Sequence, residues 1–156
     1  MTTTAKDLSQ EPPRSPRTRI AGYALLARMA DKGRAELRGA SGEYHFNCPV
    51  DNLLFRFKGV HGSEVKEVLK TGASDVELAA WLDQHGTPKS EAEKQAWSDE
   101  TEKLNFHDEP KWKTWFDEES VRLGLNPVKT TLFTLLEAED CEFGGTPCIP
   151  LDGGRS

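Results

Sequence analysis

From Ile20 to Ala30 the chain is apolar at almost every position, with Tyr23, Ala24, Leu25, Leu26, Ala27 and Met29 between them. At helical spacing such a run leaves no wide polar face, so it predicts a helix in the middle of a bundle. Ser15-Pro16 reads as its N-cap and first helical residue, and Gly39 as its stop. The expected helix therefore covers Arg17–Leu37, with Gly33 as a weak point near its end. Ahead of it, Glu11-Pro-Pro-Arg-Ser15 cannot be helical and reads as part of an extended arm over residues 1–15.

Further along, polar and apolar positions alternate only once, at Tyr44, Phe46 and Cys48 against His45 and Asn47. That pattern predicts at most a minor extended segment near 43–48. Pro49 then opens a helix through Leu53, Leu54, Phe55 and Phe57 that Gly59 closes, and Ser63 caps another to Lys70. Ser74-Asp-Val-Glu77 and Ser90-Glu-Ala-Glu93 are capping boxes for two more. The first carries Leu78, Trp81 and Leu82 and stops at Gly86. The second is charge-laced and reads as peripheral. Asp108 and Pro110 introduce a helix burying Trp112, Trp115, Phe116 and Leu123, and a last short one covers Thr131 to Asp140. The whole reads as an all-α, irregular bundle of six or seven short-to-medium helices. One helical domain is expected over residues 1–140, followed by an irregular Gly/Pro-rich tail over 141–156.

Composition narrows the class. The 156 residues are 36% hydrophobic and 29% charged, which suits a globular chain and not a disordered one. The longest apolar run, Tyr23–Ala27, is five residues, too short to cross a membrane. The first residues lack the basic stretch and apolar core of a secretory signal. A cytoplasmic protein is therefore expected, with Cys48, Cys141 and Cys148 as free thiols. Cys141 and Cys148 flank a Gly-Gly-Thr-Pro turn and could meet only in an oxidising setting.

The net charge of −6 divides unevenly. Residues 1–58 carry ten Lys/Arg against six Asp/Glu, and residues 59–156 carry ten against twenty. Seven of the nine arginines lie in the first part. Arginine's planar fork suits carboxylate and phosphate, so the bias points to an anion. The two halves could equally neutralise one another across the fold. A nucleic-acid surface would need a basic domain, and a pI of 5.3 excludes that reading.

Three stretches form one pattern: Pro13-Arg-Ser-Pro-Arg17, the run from Gly22-Tyr23 through Arg28-Met-Ala-Asp-Lys-Gly-Arg-Ala35, and Gly42-Glu-Tyr-His-Phe-Asn-Cys-Pro49. This resembles a family of small bacterial domains of unknown function, over most of residues 6–86. The resemblance implies a bacterial, soluble protein and carries no activity with it.

Candidate chemistry gathers at two places. Arg14, Arg17, Arg28, Lys32 and Arg34 are the candidate ligand-binding cations. A charged Arg28 amid the apolar run needs a buried partner, which is either Asp31 at i+3 or an anionic ligand. At the second place, Tyr44 and His45 are candidate proton-transfer groups, with Asn47 positioned to orient the imidazole. The structural alternative has Tyr44 and Phe46 plugging the core. His45-x-x-Cys48 is a lone pair without further ligands, so no metal site is expected, and no glycine loop or nucleophile elbow calls for a cofactor. Two functions remain open. One is a small soluble protein that binds an anionic small molecule in an arginine-rich pocket, with proton transfer by Tyr44 and His45. The other is a non-catalytic protein–protein interaction module, presenting its basic first half or the acidic helix Glu91–Glu102.

Overall fold

The computed structural model describes residues 5–142. Seven α-helices follow one another in these residues: α1 (Leu26–Leu37), α2 (Asp51–Lys58), α3 (Gly62–Lys70), α4 (Asp75–Gln84), α5 (Glu91–Glu102), α6 (Lys113–Arg122) and α7 (Leu132–Cys141). A 3-10 turn at Phe106–Asp108 precedes α6. The only β pairing among the described residues is an isolated bridge between Ile20 and Tyr23. The fold is all-α, as the pattern predicts. Among the described residues, no helix is long and apolar enough to cross a membrane.

The chain groups into two compact units, Met1–Ser98 and Asp99–Ser156. In the first, α1 packs against α3 and α4. The core joins Tyr23, Leu26, Met29 and Ala30 to Leu54, Phe55, Val65, Leu69, Leu78 and Leu82. Each such large side chain stabilises the fold by roughly 1.5–3 kcal/mol relative to exposure. Every residue of α1 from Leu26 to Ala35 is buried, including Arg28, Asp31, Lys32 and Arg34. The expected central helix is thus the buried one. At its glycine, a Cβ on Gly33 would stand 2.4 Å from Leu69 Cδ1 and 3.0 Å from Phe46 Cδ1. The residue that weakens the helix also lets its neighbours close on it.

That helix starts nine residues later than Arg17. Ala21, Gly22 and Leu25 have φ of 52°, 87° and 70°, so no right-handed helix can run through them. Residues 17–25 instead form a loop that is partly exposed as far as Gly22 and buried at Tyr23–Leu25. Backbone groups buried this way need partners, and Ser98 of α5 supplies two. Its hydroxyl accepts from the Ala24 N–H at 2.9 Å and donates to the Gly22 carbonyl at 2.7 Å. The Leu25 N–H donates to the Pro16 carbonyl at 3.0 Å. Pro16 therefore sits in a turn, not at a helix start. Ahead of it the arm lies back along α1, with Leu8 buried and its N–H on the Ala40 carbonyl at 2.8 Å.

Both serine capping boxes form. Ser74 and Glu77 exchange bonds of 3.2 and 2.9 Å at the start of α4, and Ser90 and Glu93 bonds of 3.1 and 2.9 Å at α5. α3 begins one residue ahead of Ser63, with His61 as its N-cap and the Glu64 carboxylate accepting the His61 N–H. In the second unit, α6 packs on α7 and on the 3-10 turn. Phe116, Leu132, Phe133 and Leu135 are fully buried there. Trp115 is 40% exposed, against its expected place in the core.

Candidate functional site

The arm and two helices, α1 and α4, bring five charged groups of the first unit together. Arg14 grips Asp31 through its backbone N–H at 2.8 Å, its Nε at 3.1 Å and one Nη at 3.0 Å. Its other Nη reaches Asp75 at 2.8 Å. Arg34 meets the same Asp75 at 2.9 Å and donates to the Ala73 carbonyl at 3.1 Å. Asp75 stands in the first turn of α4, where the helix dipole also favours a negative charge. Asp31, assigned from the sequence to Arg28, is thus held by Arg14. Arg28 lies beside both, donating to the Arg14 carbonyl at 3.4 Å, with its guanidinium 5.6 Å from the centre of the Tyr44 ring. Arg17 is in the turn after Pro16, its N–H donating to Ser15 Oγ at 3.1 Å.

These contacts set a pH dependence. Burial pushes the Asp75 carboxyl up, but the hydrogen bonds from Arg14 and Arg34 outweigh it and hold the group below its ordinary 3.8. A carboxylate lowered on folding stabilises the native state above its unfolded value, and that contribution disappears as pH falls through the lowered value. The urea midpoint is expected to stay flat from about pH 7 to pH 5 and to fall below about pH 4. In Asp75→Asn the acid fall should be shallower. Equal slopes in both proteins would show that Asp75 is not the group responsible.

The segment expected to be extended, 43–48, is a pair of turns. Asn47 has φ of 63°, so alternate residues do not share a side. Tyr44 is half-buried beneath Arg28, whereas His45 is exposed. The Asn47 amide oxygen accepts from Asn52 Nδ2 at 3.0 Å, and its backbone N–H donates to Asp51 Oδ2 at 2.9 Å. Lys32, on α1, places its ammonium 3.2 Å from Cys48 Sγ and 2.8 Å from Asp51 Oδ1. Cys48 is a free thiol. Cys141 was expected to be one and is disulfide-bonded. Cys148 and the tail expected over its last residues lie outside the described part.

Sequence reasoning missed a second cluster, of buried lysines and a buried tyrosine met by exposed carboxylates. Lys94 of α5 bonds Asp83 at 3.0 Å and Glu91 at 2.7 Å, and lies 4.7 Å from the Tyr23 ring centre. Tyr23 Oη donates to Asp83 at 2.7 Å. Burial, and then Asp83, raise the Tyr23 phenol far above its usual range, so it stays a donor. Lys58, fully buried, donates to the Thr87 carbonyl at 2.8 Å, and burial pushes its ammonium down. No short motif could have signalled this group, because its members come from five separate stretches of the chain.

In the second unit, His107 Nδ1 lies 2.8 Å from Asp117 Oδ1, and Lys113 Nζ 2.8 Å from Asp117 Oδ2. Lys113, then His107, hold the Asp117 carboxyl below its usual range. Among the described residues, no three His, Cys, Asp or Glu side chains stand close enough to bind a metal ion.

The first unit also has an open cleft of about 390 Å³ beside the arm, at the C-terminal ends of α1 and α3. Leu37, Leu69, Ala5 and Ala73 give it apolar walls, and Arg34, Arg38 and Lys70 give it positive charge. Its lining contains no carboxylate. Arg34 is 7% exposed and fixed by its two acceptors, while Arg38 holds the Ala5 carbonyl at 2.8 Å. Arg38 and Lys70 are signals that sequence reasoning passed over.

A family model described as a domain of unknown function, DUF5069, matches residues 10–142. No curated protein matches the chain significantly.

Proposed function

The chain belongs to the DUF5069 family, a domain of unknown function, and within it we propose that the first unit binds a small anionic molecule with an apolar body. The cleft carries the reading, because it combines apolar walls with Arg34, Arg38 and Lys70 and has no acid in its lining. Its volume falls within the range of small-molecule sites, which are mostly apolar with a few charged groups that fix orientation. An anionic head would bond Arg38 and Lys70 while its body lies against Leu37 and Leu69. Arg34, already fixed by Asp75, adds field at no further ordering cost.

Arg14 already has acceptors in Asp31 and Asp75, and Lys32 faces Asp51 and Cys48. Lys70 also meets a carboxylate, Glu67 at 2.6 Å, but both side chains are more than half exposed, so that pair yields readily to a ligand. The proposed site therefore keeps only Arg34 of the cations singled out in the sequence. Tyr44 lies half-buried beneath Arg28 and His45 is exposed, and the proposal is one of binding that assigns them no chemistry.

Titration calorimetry with an aromatic carboxylate, its neutral amide and inorganic phosphate tests the reading. The carboxylate should bind and the amide should not. In the Arg38→Met/Lys70→Met double variant, binding should weaken by about tenfold or more, the scale of one lost charged hydrogen bond. Equal binding in the variant, or none in the wild type, would end the anion reading. The interaction module would then stand, favoured by the exposed Trp115, Val121 and Val128 of the second unit.

A further inference from the structure

Apart from the cleft, the first unit holds a nucleophile with a charged partner already in contact. Cys48 Sγ accepts from Lys32 Nζ at 3.2 Å and from the Asp51 N–H at 3.5 Å, the latter at the start of α2. Both donors are directed at the sulfur, and the thiolate is the reacting form of cysteine. Lys32 is 4% exposed and Asp51 1%. The ammonium also stands 2.8 Å from Asp51 Oδ1, so Lys32 is shared between that buried carboxylate and the sulfur. Cys48 itself is only half-buried, which leaves room for a reagent not much larger than water.

We propose that Cys48 is a peroxide-reactive thiol whose oxidised form is captured by Lys32 as a sulfenamide, a reversible covalent tie between the 41–50 loop and α1. The thiolate attacks one oxygen of hydrogen peroxide, an S–O bond forms and the O–O bond breaks. Sulfur loses two electrons and the peroxide gains them. The departing hydroxide takes a proton from the Lys32 ammonium, giving water and a neutral amine. The amine attacks the sulfenic sulfur, an S–N bond forms, and the sulfenic hydroxyl leaves with a proton from nitrogen as a second water. Thiolate, ammonium and one peroxide thus yield the sulfenamide and two waters. Sulfenic acids are known to condense with nitrogen in this way. The amine competes with a second peroxide because it is already in place beside the sulfur. Asp51 keeps the Asn47 N–H at 2.9 Å while Lys32 is neutral.

The test exposes the whole folded chain to hydrogen peroxide, digests it without reductant and maps Cys48 by mass spectrometry. A peptide pair joined through Lys32 and Cys48, lighter than the two free peptides by two hydrogens, is expected, and dithiothreitol should release it. Protein oxidised in urea should not form it. Lys32→Arg keeps a cation beside Asp51 but offers no condensing amine. It should lose the cross-link and show several-fold more sulfinic acid at Cys48. Dimedone labelling of wild-type Cys48 without a cross-link would overturn the capture, and no modification at all would overturn the reactive thiol. A cross-link formed equally in urea would overturn the role of the folded contact. The wild-type results decide the matter even if the Lys32 variant does not fold.

Discussion

Urea unfolding of Asp31→Asn is expected to show a loss of about 3–5 kcal/mol, the scale for removing one partner of a buried charge pair. Asp31 is 3% exposed and accepts from both the backbone and the guanidinium of Arg14. An asparagine offers one acceptor where the carboxylate offers two, and it turns an N–H₂ toward groups that are themselves donors. Asp75 remains for Arg14, which places the loss toward the lower end of the range. The loop from Ser15 to Leu25 should loosen with it, since Arg14 anchors the chain that leads into it. A loss under about 1 kcal/mol would show that the arm contributes little to the stability of α1.

Gly86→Ala should cost nearly as much, about 3–4 kcal/mol, for a different reason. Gly86 has φ of +69°, and a Cβ there would stand 1.9 Å from the Lys58 carbonyl oxygen and 2.9 Å from Val60 Cγ1. The backbone oxygen cannot move freely, because it accepts the Thr87 N–H at 2.6 Å while the same lysine's Nζ holds the Thr87 carbonyl. The new methyl group would break both ends of that clasp around a fully buried lysine. Gly39 is the matched control, with φ of +68° and nothing within 4 Å of an added Cβ. Gly39→Ala should show only the left-handed penalty, about 1–2 kcal/mol. Thermal or urea unfolding of the two variants separates the clash from the backbone strain.

Local signals in the chain located most helices, because the groups that start and stop them are near in sequence. Ser74 with Glu77, Ser90 with Glu93, Thr131 at α7 and Gly59 after α2 all stand where local bonding requires. The false start at Pro16 has the opposite origin. An apolar run of Ile20 to Ala30 records burial, and burial alone does not distinguish a helix from a loop wrapped by its neighbours. The hydroxyl that satisfies this loop lies 74 residues away at Ser98, beyond any window. The candidate cations were legible as a cluster, but their partners were not. Asp75 lies 61 residues from Arg14, and the nearer Asp31, weighed as a partner of Arg28, is gripped by Arg14. Arg38 and Lys70 line one cleft only because the ends of α1 and α3 meet there.

The span of the Arg14 contacts also bears on the order in which the molecule assembles. Arg14 joins residues 17 and 61 positions further on, and closing so long a loop before α1 and α4 exist has an entropic cost with no compensating contact. The arm is therefore expected to dock after the rate-limiting step, as a latch on helices already in place. Contacts absent from the transition state leave the folding rate nearly unchanged and act on the unfolding rate. What Arg14 supplies is persistence: a native state that forms no sooner for having the arm but takes longer to come apart.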